Sequence, residues 1–176
     1  MHAEQEEQTY CKTLPQVVQQ AYANLPAGDR FPCDAAHIVH IRDLHAVMLR
    51  AAGEAYAANP RYKAIEAHLR ELLGFTFASR YPIYLNIPDN KLGLLDRRHD
   101  PTAVYRLACV LVHENVHAGG NGDEVTGYEK ELSCLKSFKN RGRLPARFDF
   151  SDTEMLLAEA RKRQREVIAR APQLNQ

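Results

Sequence analysis

The chain has 176 residues, with 23 Lys and Arg against 22 Asp and Glu, a formal charge of +1. A balance this close to neutral excludes the basic footprint of a general nucleic-acid binder, and no apolar run approaches the roughly 20 residues that a membrane helix needs. Apolar residues make up 45%, and a chain of this size buries roughly 70% of its unfolded surface, so one domain over 1–176 is expected, with 1–12 as a flexible N-terminus.

The periodicity predicts a first helix opened by Thr13-Leu14-Pro15. Val17, Val18, Ala21, Tyr22 and Leu25 form its apolar face, and Pro26-Ala27-Gly28-Asp29 stops it. A second helix is expected from about Asp34 toward Ala57, with Ile38, Ile41, Leu44, Met48 and Leu49 facing the core. Asn59-Pro60 reads as the N-cap and first residue of a third helix, closed by Gly74. Phe75-Thr76-Phe77 and Ile83-Tyr84-Leu85-Asn86-Ile87 read as strands, with a turn at Pro88-Asp89-Asn90. Pro82 cannot donate to a ladder, which places the second strand at a sheet edge.

Asp100-Pro101 starts a fourth helix. Its residues Val104, Leu107, Cys109, Val110 and Leu111 are apolar almost all round, which predicts deep burial. Gly119-Gly120 stops it. A fifth helix starts near Asp123 and carries Val125, Tyr128, Leu132, Leu135 and Phe138 as far as Asn140 and Gly142. Ser151-Asp152-Thr153-Glu154 forms a capping box for a last helix, ended by Pro172. Helices, a small sheet, then helices make an α+β fold, mostly helical.

Cys11, Cys33, Cys109 and Cys134 form no CxxC pair and no zinc-finger spacing. A core of this size needs no staple, so reduced thiols are expected. The acidic, polar start from Met1 to Gln8 lacks the regions of a secretory signal. The expected location is therefore cytoplasmic, or exported without a cleavable signal peptide.

Eight histidines are the compositional oddity, and the informative pair lies in the fourth helix, in Val110-Leu111-Val112-His113-Glu114-Asn115-Val116-His117-Ala118. On a helix, His113 and His117 stand one turn apart on one face, separated by about 6 Å along the axis. Two imidazoles so placed can fill two corners of a tetrahedral Zn²⁺ site. Glu114 is turned by about 100° from His113 and flanks such an ion as a general base for water. His37, His40 and His45 are spaced by three and five and read as surface or capping histidines. His68 and His99 have no acidic or thiol partners at ligand spacing. The run from Arg161 to Arg165 reads as a solvated helix face.

The His113-Glu114-x-x-His117 helix resembles the zincin metallopeptidases, with similar apolar flanks, although Gly119 stands where a hydrophobic residue is commoner. The resemblance implies a zincin-like domain in which an edge strand, here Tyr84-Leu85-Asn86, flanks the active-site helix and pairs with an extended substrate. It implies peptide-bond hydrolysis by a zinc-activated water, with a peptide or protein as substrate. It also implies an oxyanion donor, for which Tyr128 is the nearest candidate, with a core tyrosine as the alternative. For the third ligand, Glu124 fits a gluzincin-like arrangement and Asp123 a metzincin-like spacing. The latter arrangement also requires a Met turn, whereas the only later Met, Met155, lies in a helical context.

The short, glycine-rich connection from Ala118 to Gly122 folds the next helix straight back, bringing Glu124 beside His117. Gly127 allows close approach, and Asp123 suits the N-cap. Glu131, two turns on, is a candidate acceptor for an imidazole N–H, and both Glu129 and Glu131 stay open as ligands. Two readings stand beside the zinc peptidase: a zinc-binding recognition domain without turnover, and a metal-free helical interaction module.

Overall fold

The computed structural model describes residues 16–31, 37–41, 43–77, 80–86 and 102–170. Its elements are α1 (Gln16–Ala23), a 3₁₀ turn (Ala27–Asp29), β1 (Ile38–Ile41), α2 (Leu44–Ala52), α3 (Ala55–Ala58) and α4 (Pro60–Leu69). They are followed by β2 (Gly74–Phe77), β3 (Arg80–Asn86), α5 (Thr102–Ala118), α6 (Glu124–Asn140) and α7 (Ser151–Arg170). The fold is α+β with a helical majority and a three-stranded sheet. Among the described residues, no helix is long and apolar enough to cross a membrane.

The sheet order is β1-β3-β2, with β1 parallel and β2 antiparallel to β3. This corrects two expectations. Ile38–Ile41 begins no helix: its β-branched residues pair with Ile83–Asn86, and the next helix starts only after Asp43, whose side chain caps Ala46 N. The helical spacing of Ile38 and Ile41 is local, and a strand partner more than 40 residues away overrides it.

The second correction concerns Tyr84-Leu85-Asn86, which lies in the middle strand rather than at an edge. Pro82 is accommodated because pairing with β1 starts only at Ile83, and pairing with β2 is irregular between Phe75 and Phe77. Proline is tolerated at such bulges. The strand at the edge against α5 is β2. Its first residue is Gly74, which therefore does not close α4; that helix ends at Leu69.

Alternation along β3 divides the core. Ile83 and Leu85 join Val18, Tyr22, Leu107, Leu111, Leu135 and Phe138 on one face. Tyr84 packs with Phe75, Met48, Tyr56 and Leu69 on the other. On that second face, buried Glu66 meets Arg70 and also His45 at 3.2 Å, tying α2 to α4. His45 is thus the partner of a carboxylate. His37 precedes β1 and His40 lies within it.

At the far end of the chain, α6 closes at Gly142 (φ 68°), with the Gly142 N–H on Lys139 O and the Arg143 N–H on Phe138 O. These are the paired bonds of a Schellman stop. The Asp149 carboxylate, rather than Ser151, caps α7, accepting from both the Ser151 N–H and its hydroxyl. Helix α7 then packs along α6, with Leu157 and Ala160 buried between them. The Thr13 and Pro172 boundaries, Asp100-Pro101, the turn at Pro88-Asp89-Asn90, His99, Cys11 and Cys33 lie outside the described residues.

Cys109 and Cys134 are joined in a disulfide between α5 and α6, which corrects the expectation of reduced thiols. Both helices are apolar on the facing sides, and their packing brings the two Cα atoms to 5.5 Å, inside the range a disulfide spans. The sequence separation is 25, and on the chain-entropy account closing such a loop stabilises the fold by roughly 3–4 kcal/mol.

Candidate metal centre

Helix α5 is stopped by a hydrogen-bonded turn that also builds part of the site. Gly120 has φ 94°, a left-handed conformation suited to glycine. Its N–H bonds to His117 O, and the Asn121 N–H bonds to Val116 O, the two bonds of a Schellman motif. The chain then reverses at once into α6. Asp123 is the N-cap, accepting from Val125 N and Thr126 N. The hydrogen bond from the Thr126 hydroxyl, with the two backbone bonds, holds its carboxyl below the usual range. Asp123 is thereby committed to the helix start, as its residue type favours.

The reversal places Glu124 against both imidazoles. His113 Nε2 and His117 Nε2 are 3.0 Å apart. Glu124 Oε2 is 3.4 Å from the first, and Oε1 is 3.5 Å from the second. A tetrahedral ion with bonds of about 2.0–2.1 Å sets its donors about 3.3–3.4 Å apart, so the spacing of these three side chains matches three corners of such a site. His113, His117 and Glu124 are also the one group of three potential metal ligands found among the described residues.

The second ring nitrogens decide where the lone pairs point. His113 Nδ1 lies 3.0 Å from Glu131 Oε2, and His117 Nδ1 lies 2.8 Å from the Asn121 carbonyl oxygen. Both partners are acceptors, so both Nδ1 atoms carry the proton and donate. In the neutral rings, both Nε2 lone pairs then face the same point, together with the Glu124 carboxylate. Three acceptors converging in one place need a cation between them. Without a metal, a proton serves: burial opposes charge on His113, but hydrogen bonds to Glu124 and Glu131 outweigh it and raise the ring to about 9. Glu124 likewise raises His117, and both rings hold Glu124 well below the ordinary carboxylate range.

Both histidines are buried, while the Glu124 side chain is 57% exposed. The convergence point is therefore walled on the helix side and open on the Glu124 side. Glu114 is buried on the neighbouring face of α5, where Gly74 of β2 leaves room for it. A Cβ at Gly74 would stand 3.1 Å from Glu114 Cγ. Burial drives the Glu114 carboxyl up to about 7, even though His113 and His117 pull it down. Tyr128 sets its ring edge-to-face on His113, with centroids 4.5 Å apart, and burial next to Glu124 pushes its phenol up to about 12. It is half-buried, packed on the His113 ring.

Gly127 fixes how closely α6 approaches. A Cβ there would meet His113 Nε2 at 2.8 Å and two ring carbons at 3.0 Å. Gly127→Ala is expected to displace the imidazole, costing roughly 1–3 kcal/mol as overpacking does. Thermal unfolding checks this; wild-type stability would show that α6 can retreat freely.

The structure thus brings His113, His117 and Glu124 together and puts Glu131 behind His113. It leaves Glu129 outside, exposed and paired with Arg161 at 2.8 Å. Asp123, engaged in its cap, also accepts from Gln164 of α7. Sequence reasoning missed the Asn121 carbonyl, because a main-chain group has no residue signature, and it missed the role of Gly74, which read only as a helix stop. Comparison with family models, curated proteins and solved structures finds no match to this chain.

Proposed function

We propose that this protein is a zinc-dependent peptidase in which His113, His117 and Glu124 hold the ion and Glu114 is the general base. The observation that carries the reading is the convergence of two tautomer-fixed Nε2 lone pairs and a carboxylate at one partly open point. A structural zinc site is usually closed by four protein ligands, whereas a catalytic one keeps a corner for water or substrate. Three ligands with an exposed carboxylate fit the second pattern. The resemblance of the His113–His117 segment to the zincins supports a peptide bond as the target.

A bound Zn²⁺ would polarise the scissile carbonyl and lower the pKa of water toward 7. Glu114, at about 7 in its dry setting, is matched to take a proton near neutral pH and return it to the leaving amine. Glu131 and the Asn121 carbonyl hold the two rings in their ligating tautomer throughout. Tyr128 buttresses His113 through its ring; its half-buried phenol is proposed as the donor to the developing oxyanion.

The pH dependence of zinc binding tests this. His113 is raised from 6.5 to about 9, so protonation stabilises the metal-free fold below pH 6.5, and that stabilisation is lost as pH rises to about 9. Zinc must displace this proton. Because His117 is raised as well, the affinity for zinc is expected to rise by at least tenfold per pH unit below about 9, with one zinc per chain at saturation. Cleavage of an unstructured protein substrate should stop with chelator and return with zinc. A pH-independent affinity, or chelator-resistant cleavage, would overturn the reading.

A further inference from the structure

The Cys109–Cys134 disulfide lies in line with the proposed ligands. Cys109 stands one turn before His113 on α5, and Cys134 stands three residues after Glu131 on α6. Successive contacts along this antiparallel pair are therefore Cys109–Cys134, His113–Glu131 and His117–Glu124. Every proposed ligand, the base and Glu131 fall inside the segment the disulfide closes. Its cysteines are buried, at 0% and 4% exposure, among Leu111, Leu135 and Phe138. The centre tolerates little sliding, because His113 fills the space over Gly127 and its Nδ1 must keep Glu131.

We propose that Cys109 and Cys134 are positioning residues of the metal centre, and that the affinity for zinc and the stability of the disulfide are linked. The proposal rests on the metal reading above. The oxidised pair holds α6 in register with α5, so the three donors are preset before the ion arrives. Reduction by an external dithiol proceeds in two displacements. A thiolate attacks one sulfur and expels the other cysteine as thiolate; the second thiol of the reductant then releases the first cysteine and departs as a cyclic disulfide. Two electrons and two protons pass to the cysteine pair, and the helices are left held by packing and by the contacts of His113 and His117 with Glu131 and Glu124. Coupling of this kind is reciprocal: the factor by which the disulfide tightens zinc is the factor by which zinc protects the disulfide.

The full-length chain is titrated with zinc in its oxidised and reduced forms. Separately, its thiol–disulfide midpoint is measured in dithiothreitol redox buffers, with and without saturating zinc clamped by a chelator buffer. The oxidised form is expected to bind zinc at least tenfold more tightly, and saturating zinc to lower the midpoint by about 30 mV for each tenfold difference. The double variant Cys109→Ala/Cys134→Ala, which offers no thiol to the metal, should match the reduced chain. If that variant fails to fold, the midpoint shift on the native chain still decides.

Equal affinities with an unmoved midpoint overturn the linkage while leaving the metal reading intact. Tighter binding by the reduced chain also overturns the linkage, as does failure of the two thiols to pair under air. An oxidised chain that takes up no zinc overturns the metal reading itself.

Discussion

Glu114→Gln is expected to lower the turnover of peptide hydrolysis by about 10²–10⁴-fold, the usual contribution of a positioned base, while zinc content stays at wild-type level. The amide matches the carboxyl in size and so keeps the contact with Gly74. It removes only the capacity to take a proton. Stability provides a second readout. Burial raises the Glu114 carboxyl from 4.5 to about 7, so the ionised form is disfavoured in the fold, and its cost builds as pH rises from 4.5 through 7. The variant should therefore be at least as heat-stable as the parent at pH 8 without metal. Full activity in Glu114→Gln would remove the base from the mechanism. Lost activity together with lost stability would point to a packing role.

The second large effect concerns the proposed third ligand. Loss of an outer partner of a metal site typically costs about 10–100-fold in affinity, so on the proposed reading loss of a direct ligand in Glu124→Ala should exceed about 10²-fold. Asp123→Ala should instead act as a lost N-cap, at about 0.5–2 kcal/mol of stability, with zinc affinity changed far less. The two residues are adjacent in sequence, but one carboxylate faces both imidazoles and the other is spent on Val125, Thr126 and Gln164. Competition titration of the two variants against a chromophoric chelator separates them. The reverse order would transfer the ligand role to Asp123.

The legible parts of the molecule were those set by local geometry. His113 and His117 face one way because four residues make roughly one turn, and Glu124 joins them because five residues rich in glycine and polar groups can only turn the chain back. The same arithmetic located Glu131 behind His113 and anticipated the close crossing at Gly127. It also held the disulfide unread: once His117 faces Glu124 in an antiparallel pair, Cys109 must fall opposite Cys134.

What stayed hidden depends on distant partners. The β-branched residues of Ile38–Ile41 suit a strand, but the helical spacing of Ile38 and Ile41 competes with that signal until β3 is placed beside them. Pro82 argued correctly against full pairing but wrongly for an edge, because the irregular register lets a central strand carry it. The local rule was sound; the position of the strand in the sheet was not local information.

The reversal between α5 and α6 has an evolutionary consequence. Surface connections ordinarily absorb added residues at little thermodynamic cost, and they are where lineages drift in length. Here the same few residues end one helix, start the next and aim the Asn121 carbonyl at His117. A single insertion would leave the hydrophobic interior untouched yet free an imidazole to swap its protonated nitrogen. Descendants that keep the proposed metal centre should therefore conserve the length of this bend more strictly than its composition, and any that lengthen it should retain the shape while giving up the site.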